Sequence, residues 1–218
     1  MRYRLACFDL DGTLLDTLGG LTQSLNAARR MNNLSEQTEE QVRSYIGNGK
    51  VKLIERSLTA DPGNFSEELK LKLLKDNVNY YNSHYLERTR PYNGITEVLT
   101  RLKSDGMLLA VVSNKDDEPA QKLMEHFFPG MFDYVSGAKD GVERKPSYEP
   151  VERCLFSLGI DNGDTVYIGD SDTDILTAQN SGMDCISCTW GYRSRGFLVE
   201  NGAKNICTDP MDLRTFMR

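Results

Sequence analysis

The feature that most constrains this chain is a short apolar segment near the N-terminus that ends in two carboxylates. Residues 4–8 read Arg-Leu-Ala-Cys-Phe, and Asp-Leu-Asp-Gly-Thr follows at 9–13. A short, largely apolar run bounded by a turn signal is typical of a strand buried in a parallel sheet. Because Gly12 lets the chain turn away, Asp9 and Asp11 can both point into one cleft beyond the strand. Taken alone, however, Asp-x-Asp-Gly is also an ordinary turn composition.

Helical patterns occupy the chain from residue 18 to about residue 88. Helices are predicted at about 19–32, 37–46, 49–60 and 66–88. Their apolar residues recur every three or four positions, which favours packing of each helix against its neighbours. The pattern predicts an all-helical module inserted after the first strand.

Beyond residue 92, apolar segments alternate with helical ones. Strands are predicted at 108–112, 134–136, 165–168 and 184–188, with helices at 95–104, 117–127, 147–158 and 173–181. Such connections form right-handed crossovers and give a parallel sheet covered by helices on both faces. The first strand is expected to join this sheet. The sequence therefore predicts an α/β fold with a discontinuous three-layer α/β/α core, 1–16 and 92–218, and a helical domain, 17–91.

Composition excludes several classes of function. With 39% hydrophobic and 27% charged residues, the chain resembles a soluble globular protein, and no apolar run is long enough to span a membrane. A net charge of −6 without a basic stripe argues against nucleic acid or a membrane as a partner. Residues 1–15 lack the features of a secretory signal, so a cytoplasmic location is expected. The oligomeric state stays open between monomer and homodimer.

The cysteines are predicted to be free thiols. There are 5, an odd number in a chain without a predicted export signal. Cys185 and Cys188 form a Cys-x-x-Cys, but in a predicted strand, where residues three apart face opposite sides. A zinc or redox site is therefore disfavoured.

Polar and ionisable side chains follow every predicted strand of the sheet. Ligands of such sheets bind beyond the carboxyl ends of the strands, so these side chains predict a functional edge. They are Asp9 and Asp11 after the first strand, Ser113, Asn114 and Lys115 after the second, Lys145 after the third, Asp170, Asp172 and Asp174 after the fourth, and Trp190, Gly191, Tyr192 and Arg193 after the fifth.

The carboxylates at this edge require a counter-charge. Asp9, Asp11, Asp170 and Asp174 are all expected there, and two like charges about 4 Å apart repel by about 4 kcal/mol at an effective dielectric constant near 20. Oxygen ligands without a nearby His or Cys select a hard cation such as Mg²⁺. The remaining groups at this edge suit an oxyanion: a hydroxyl, backbone N–H groups and the charge of Lys145. Together these groups predict phosphoryl transfer.

The ordered motifs resemble those of the haloacid dehalogenase superfamily, in its phosphatase branch. The similarity is carried by Asp-Leu-Asp-Gly-Thr-Leu at 9–14, Ser-Asn at 113–114, Lys-Pro at 145–146 and Gly-Asp-Ser-Asp-Thr-Asp at 169–174. Each piece is weak alone, but the set spans nearly the whole chain. The resemblance implies a Rossmann-like core with an inserted helical cap, and the residues after the first motif are most similar to those of phosphoglycolate phosphatases.

The resemblance also implies roles for the motif residues. Asp9 is expected to attack phosphorus and form an aspartyl-phosphate, while Asp11 protonates the leaving alcohol and then activates water. Mg²⁺ is expected on the Asp9 carboxylate, the Asp11 carbonyl and Asp170. Asp174 is expected to support the ion through water or through Lys145. The implied phosphate-binding residues are Gly12, Thr13, Ser113, Asn114 and Lys145.

The expected function is a Mg²⁺-dependent phosphatase acting on a small phosphorylated metabolite, with phosphoglycolate as the leading substrate. A dehalogenase is disfavoured because halide leaves without needing the proton that Asp11 supplies. The alternatives are a sugar-phosphate phosphatase, a phosphomutase or, in a different class, a catalytically silent phosphate- or metal-binding regulatory protein. Arg193 and Arg195 are expected to be solvated, and Asp172 is expected to cap the helix that follows it.

Overall fold

The chain divides into two units in the computed structural model, which describes residues 2–61 and 65–217. One unit combines Met1–Asp16 with Pro91–Arg218, and the other is Thr17–Arg90. We call the first the core and the second the helical insert. None of the helices in the described residues is long and apolar enough to cross a membrane.

A six-stranded parallel sheet forms the centre of the core. Its spatial order is β5-β4-β1-β6-β7-β8, while β2 and β3 form a separate two-stranded sheet. The strands are β1 (Leu5–Phe8), β2 (Leu15–Asp16), β3 (Arg90–Pro91), β4 (Leu108–Asp116), β5 (Tyr134–Ala138), β6 (Thr165–Gly169), β7 (Asp184–Cys188) and β8 (Asn205–Cys207).

The helices are distributed between the two units. The helical insert contains α1 (Leu18–Met31), α2 (Glu39–Tyr45), α3 (Gly49–Thr59) and α4 (Glu67–His84). The core contains α5 (Ile95–Ser104), α6 (Asp117–Phe127), α7 (Glu149–Leu158), α8 (Asp172–Asn180), α9 (Arg195–Glu200) and α10 (Leu213–Phe216).

Strand β1 lies in the middle of the sheet. Leu5 pairs with Leu108 of β4 on one side and with Thr165 of β6 on the other. Residues 5–8 are all fully buried although they alternate between the two faces, so helices must cover both. On one face, side chains of α7 and α8 pack against β1, β4 and β6. The predicted α/β fold with a covered parallel sheet is therefore confirmed.

The helical insert is held together by one fully buried cation in addition to its apolar residues. The Arg29 guanidinium donates to the carbonyl oxygen of Ser35 at 2.6 Å, to that of Ser57 at 3.1 Å and to Oδ2 of Asp61 at 2.6 Å. These contacts join α1 to the loop after it and to the end of α3. Because the charged guanidinium donates each of these bonds to an oxygen acceptor, the cost of burying the side chain of Arg29 is compensated.

The structure corrects several predicted boundaries. Strand β4 runs beyond the predicted 108–112 to Asp116, and α4 ends at His84 before the predicted 88. Strand β8 was not predicted, because its three residues are too short to show a pattern. The expectation that Asp172 caps α8 is wrong: the helix begins at Asp172, and Ser171 is the capping residue.

Candidate active site

The turn after β1 is fixed by its backbone. The N–H of Asp9 donates to the carbonyl oxygen of Ile168 at 2.9 Å, which extends the pairing of β1 with β6. Gly12 adopts a φ of +88°, and its N–H donates to the carbonyl oxygen of Leu15 at 2.9 Å. An added Cβ at Gly12 would lie 2.5 Å from Oδ2 of Asp170. Only glycine satisfies both the backbone angle and the close approach of that carboxylate.

Lys145 is a buried cation at the end of β1. Its side chain is 2% exposed, and Nζ lies 2.9 Å from Oδ1 of Asp9 and 2.8 Å from Oδ1 of Asp174. The contact with Asp9 is an ion pair without the alignment of a hydrogen bond. Burial lowers the pKa of Lys145, but Asp174 and Asp9 together raise it above its usual value. The lysine therefore stays charged beside the expected nucleophile.

Asp174 is oriented from two sides. Its Oδ1 accepts from Lys145, while Oδ2 accepts from the N–H of Ser171 at 3.1 Å and from Oγ of Ser171 at 2.6 Å. An added Cβ at Gly169 would lie 2.3 Å from Cγ of Asp174. The start of α8 and the end of β6 thus fix this carboxylate in place.

Asp170 receives hydrogen bonds from two distant segments. Thr13 Oγ1 donates to its Oδ1 at 3.2 Å, and the N–H of Tyr192 donates to its Oδ2 at 2.7 Å. The indole Nε1 of Trp190 donates to the carbonyl oxygen of Thr13 at 3.0 Å. The segment after β7 and the first motif therefore hold Asp170 between them, and the Thr13 hydroxyl is committed to this task.

Asp9, Asp170 and Asp174 form one carboxylate cluster. One oxygen from each lies within 4.8 Å of the others. Burial raises the pKa of Asp9 to about 6, although Lys145 opposes this, and burial with the nearby charges of Asp174 and Asp9 raises that of Asp170 well above its usual value. A buried set of oxygen ligands whose charges repel one another suits a hard divalent cation. These three residues therefore fit the expected Mg²⁺.

The carboxylate of Asp11 is not part of this cluster. Lys115 Nζ lies 3.1 Å from Oδ1 and 3.2 Å from Oδ2 of Asp11. The expectation that four carboxylates converge is thus corrected to three, with Asp11 paired to a lysine of its own. The carboxylate of Asp11 therefore lies in a different environment from that of the cluster.

Ser113 and Asn114 are buried and tied to neighbouring motifs. Nδ2 of Asn114 donates to the carbonyl oxygen of Lys145 at 3.0 Å, and Arg144 Nη1 donates to the carbonyl oxygen of Asn114 at 2.7 Å. Ser113 Oγ accepts from the N–H of Lys115 at 3.3 Å. The second and third motifs therefore form one connected segment of the site.

Tyr167 was not predicted as part of this site, and Lys115 was predicted at this edge of the sheet without a role. Tyr167, fully buried on β6, accepts from Lys145 Nζ at 2.8 Å and donates to the carbonyl oxygen of Val112 at 2.8 Å. The signal was a polar-tipped aromatic in an otherwise apolar strand, since a buried phenol needs a partner. Lys115 had no predicted role because the side chain that it faces, Asp11, lies in a distant part of the sequence.

The expectation for the two arginines after β7 holds for one of them. Arg195 is exposed, as expected. Arg193 is half-buried, and its guanidinium lies 5.5 Å from the ring centroid of Phe197. The aromatic face attracts the cation, so Arg193 is not a simply solvated side chain.

We expect Tyr167→Phe to lower turnover about ten-fold without unfolding the protein. The change removes one hydrogen bond to a charged group, which contributes roughly 1.5–3 kcal/mol, and keeps the ring. Steady-state rates and thermal unfolding check this. Tyr148→Phe, at a tyrosine that is 52% exposed, is the matched control. Equal rates for Tyr167→Phe and the wild-type protein would show that the phenol does not orient Lys145.

Comparison with known proteins gives one consistent result. Residues 6–188 match the model of a family described as haloacid dehalogenase-like hydrolase. A phosphoglycolate phosphatase of Aquifex aeolicus is 34% identical over 194 residues, covering 87% of this chain and 86% of that protein. One from Neisseria meningitidis is 35% identical over 200 residues, covering 90% and 84%. The crystal structure of a candidate phosphoglycolate phosphatase from Lactobacillus delbrueckii subsp. bulgaricus has a TM-score of 0.95 and 36% identity, covering 100% of this chain and 99% of that one.

Proposed function

The chain belongs to the haloacid dehalogenase-like hydrolases and is a phosphoric monoester hydrolase, and from that premise we propose that it hydrolyses phosphoglycolate with Asp9 as nucleophile. The observation that carries the proposed mechanism is the placement of Asp9. Its carboxylate follows the central strand and is paired with the buried Lys145, while Asp11 is paired with a different lysine. Nucleophile and proton donor therefore have separate environments.

In the first step, an oxygen of Asp9 attacks phosphorus and the bond from phosphorus to the leaving oxygen breaks. Asp11 gives its proton to that oxygen, so the alcohol leaves neutral and an aspartyl-phosphate remains on Asp9. Lys145 and the Ser113 hydroxyl bind the phosphoryl oxygens, on which negative charge is spread in the transition state.

In the second step, water attacks the aspartyl-phosphate. Asp11, now a carboxylate, takes a proton from this water, and the bond between phosphorus and Asp9 breaks. Inorganic phosphate leaves and both side chains return to their starting states. One residue thus acts first as acid and then as base.

Asp9 and Asp170 would hold Mg²⁺ by their carboxylates and Asp11 by its carbonyl oxygen, with Asp174 in support. When bound, the ion supplies positive charge to the phosphoryl oxygens and offsets the repulsion among the carboxylates. Thr13 orients Asp170 through its hydroxyl, so we assign it to the support of the metal site, and Gly12 to the tight turn beside it.

Phosphoglycolate is proposed as the substrate because relatives in Aquifex aeolicus and Neisseria meningitidis that align over most of their length carry that name. The test is phosphate release from phosphoglycolate and a panel of sugar phosphates, with Mg²⁺ and with EDTA. We expect phosphoglycolate to give the highest kcat/KM, and EDTA to abolish release. Equal low rates on all esters would reject the substrate, and transfer to a second sugar hydroxyl instead of water would indicate a mutase.

The metal site also predicts how stability depends on pH. The pKa of Asp9, about 6 in the folded protein, exceeds its unfolded value. The contribution of Asp9 to the free energy of unfolding is therefore fully present below the unfolded pKa and is lost as pH rises through about 6. In EDTA we expect the free energy of unfolding to fall by about 1.4 kcal/mol from pH 5 to pH 8.

Mg²⁺ should reverse this fall, because a ligand that binds only the folded state stabilises it. Urea unfolding at both pH values, with and without Mg²⁺, measures the effect. Asp170→Asn should reduce both the fall and the response to Mg²⁺. Stability that rises towards pH 8 in EDTA, or that ignores Mg²⁺, would contradict a metal site at these carboxylates.

A further inference from the structure

We propose that Lys115 is a positioning residue that holds the carboxylate of Asp11 in place for proton transfer. This inference rests on the proposed function, because it needs Asp11 to be the acid and base of the reaction. It adds a second lysine to the site, with a task different from that of Lys145.

Lys115 and Asp11 form an ion pair in which the ammonium group contacts both carboxylate oxygens. Nζ of Lys115 is nearly equidistant from the two oxygens of Asp11, at 3.1 and 3.2 Å. Contact with both oxygens restricts rotation of the carboxylate as well as its position. The side chains of Lys115 and Asp11 are only 6% and 15% exposed, so solvent screens the pair little. Such a contact differs from a surface ion pair, which restrains its members weakly.

The position of Lys115 in the fold brings it close to both the turn after β1 and Ser113. It lies near the end of β4, which is paired with β1, and Asp11 lies in the turn that follows β1. The backbone N–H of Lys115 also donates to Oγ of Ser113, a proposed ligand of the phosphoryl group. One residue therefore connects the proton donor to the segment that binds the phosphoryl oxygens.

The two lysines of the site contact different carboxylates of the first motif. Nζ of Lys145 contacts Asp9, Asp174 and Tyr167, whereas Nζ of Lys115 contacts both carboxylate oxygens of Asp11. Lys145 thus serves the attacking group and Lys115 the proton donor. A general acid must lie within hydrogen-bond reach of the leaving oxygen, and a misplacement of about 1 Å can cost about 10²-fold in rate.

The experiment compares two esters that differ in their need for a proton. Single-turnover release of the alcohol is measured with enzyme in excess, from phosphoglycolate and from p-nitrophenyl phosphate, whose leaving group departs without protonation. The variants are Lys115→Met, which keeps the apolar part of the side chain, and Lys115→Arg, which keeps the charge. Lys122→Met is the matched control, since Lys122 is 51% exposed and pairs with Glu118 on the same helix.

We expect Lys115→Met to slow release from phosphoglycolate about 10²-fold and release from p-nitrophenyl phosphate less than about three-fold. Lys115→Arg should recover part of the rate, and Lys122→Met should match the wild-type protein. In an Asp11→Asn background, Lys115→Met should have no further effect, because two residues that act as one unit are not additive.

Three results would overturn the inference alone: equal losses on both esters, a further loss in the Asp11→Asn background, or a raised KM with an unchanged single-turnover rate at saturation. Thermal unfolding of each variant shows whether a loss reflects the fold. If the wild-type protein releases alcohol from neither ester, or if Asp9→Asn releases it at the wild-type rate, the proposed function itself fails. The two failures are therefore distinguishable.

Discussion

Asp9→Asn is expected to lower turnover by about 10⁴-fold or more while the protein stays folded. The amide oxygen is a poor nucleophile and cannot form the aspartyl-phosphate, so the first step is lost rather than slowed. Removing the nucleophile of a covalent mechanism typically costs about 10⁴–10⁶-fold, far more than the loss of a binding contact. Phosphate release under saturating substrate and Mg²⁺ measures the effect.

The fold should survive this change because of the groups around Asp9. Lys145 keeps Asp174 and Tyr167 as partners, so its charge is not left unpaired. Burial already disfavours the charged form of Asp9, as the raised pKa shows, and a neutral amide of the same shape avoids that cost. We expect a melting temperature within a few degrees of the wild-type value, about the effect of 1 kcal/mol or less.

Asp164→Asn is the matched control for this substitution. Asp164 belongs to the core unit, and its side chain is 46% exposed, with Oδ2 lying 3.6 Å from Nη1 of Arg4. It has no role in the proposed reaction. It should retain wild-type activity. Substantial turnover by Asp9→Asn in the same assay would exclude the assignment of Asp9 as nucleophile. If Asp9→Asn unfolds, the expected stability is wrong, and its loss of activity is then explained by the loss of the fold.

Lys145→Met is expected to remove both activity and stability. The variant loses the positive charge that faces the phosphoryl group in the proposed mechanism, which we expect to cost about 10²–10³-fold in turnover. It also leaves the buried carboxylates of Asp9 and Asp174 without that cation, and breaking a buried ion pair from one side costs about 3–5 kcal/mol. Urea unfolding in EDTA gives the loss of stability, and kinetic assays give the loss of turnover.

A second substitution separates the two effects of Lys145→Met. Asp174→Asn in the same chain removes one of the two unpaired charges, so it should recover part of the stability without restoring turnover. Lys103→Met, at a lysine 36% exposed and paired with Asp133, is the control for the loss of a core lysine. Full activity in Lys145→Met would show that this lysine is only structural, and no change in stability would show that its ion pairs contribute nothing.

Much of the fold could be predicted from local patterns. The apolar runs and the helical periods predicted a covered parallel sheet, because both signals repeat within a few residues. The short strand β8 carried no such repeat. Ser171 was missed as the capping residue because three acidic side chains surround it in the sequence, and only the path of the backbone decides which residue precedes the helix.

The site was predictable to the level of its motifs and no further. The order of the strands places Asp9, Lys145 and Asp170 at one edge, since parallel strands end together. The pairings of Lys145 with Tyr167 and of Lys115 with Asp11 join segments far apart in the chain. Which oxygen a lysine faces depends on rotamers and strand register, which local sequence does not encode.

The position of β1 has a consequence for the order in which the protein folds. This strand is synthesised before the other strands of the sheet, yet its two neighbours, β4 and β6, lie beyond the helical insert. Closing such long loops costs chain entropy before any pairing is gained, and contacts between distant residues form slowly. During translation the four helices of the insert can associate early, whereas Asp9 reaches its final position only after β6 has left the ribosome. A nascent chain that stops before β6 would therefore carry the proposed nucleophile, Asp9, without the residues that hold it in place.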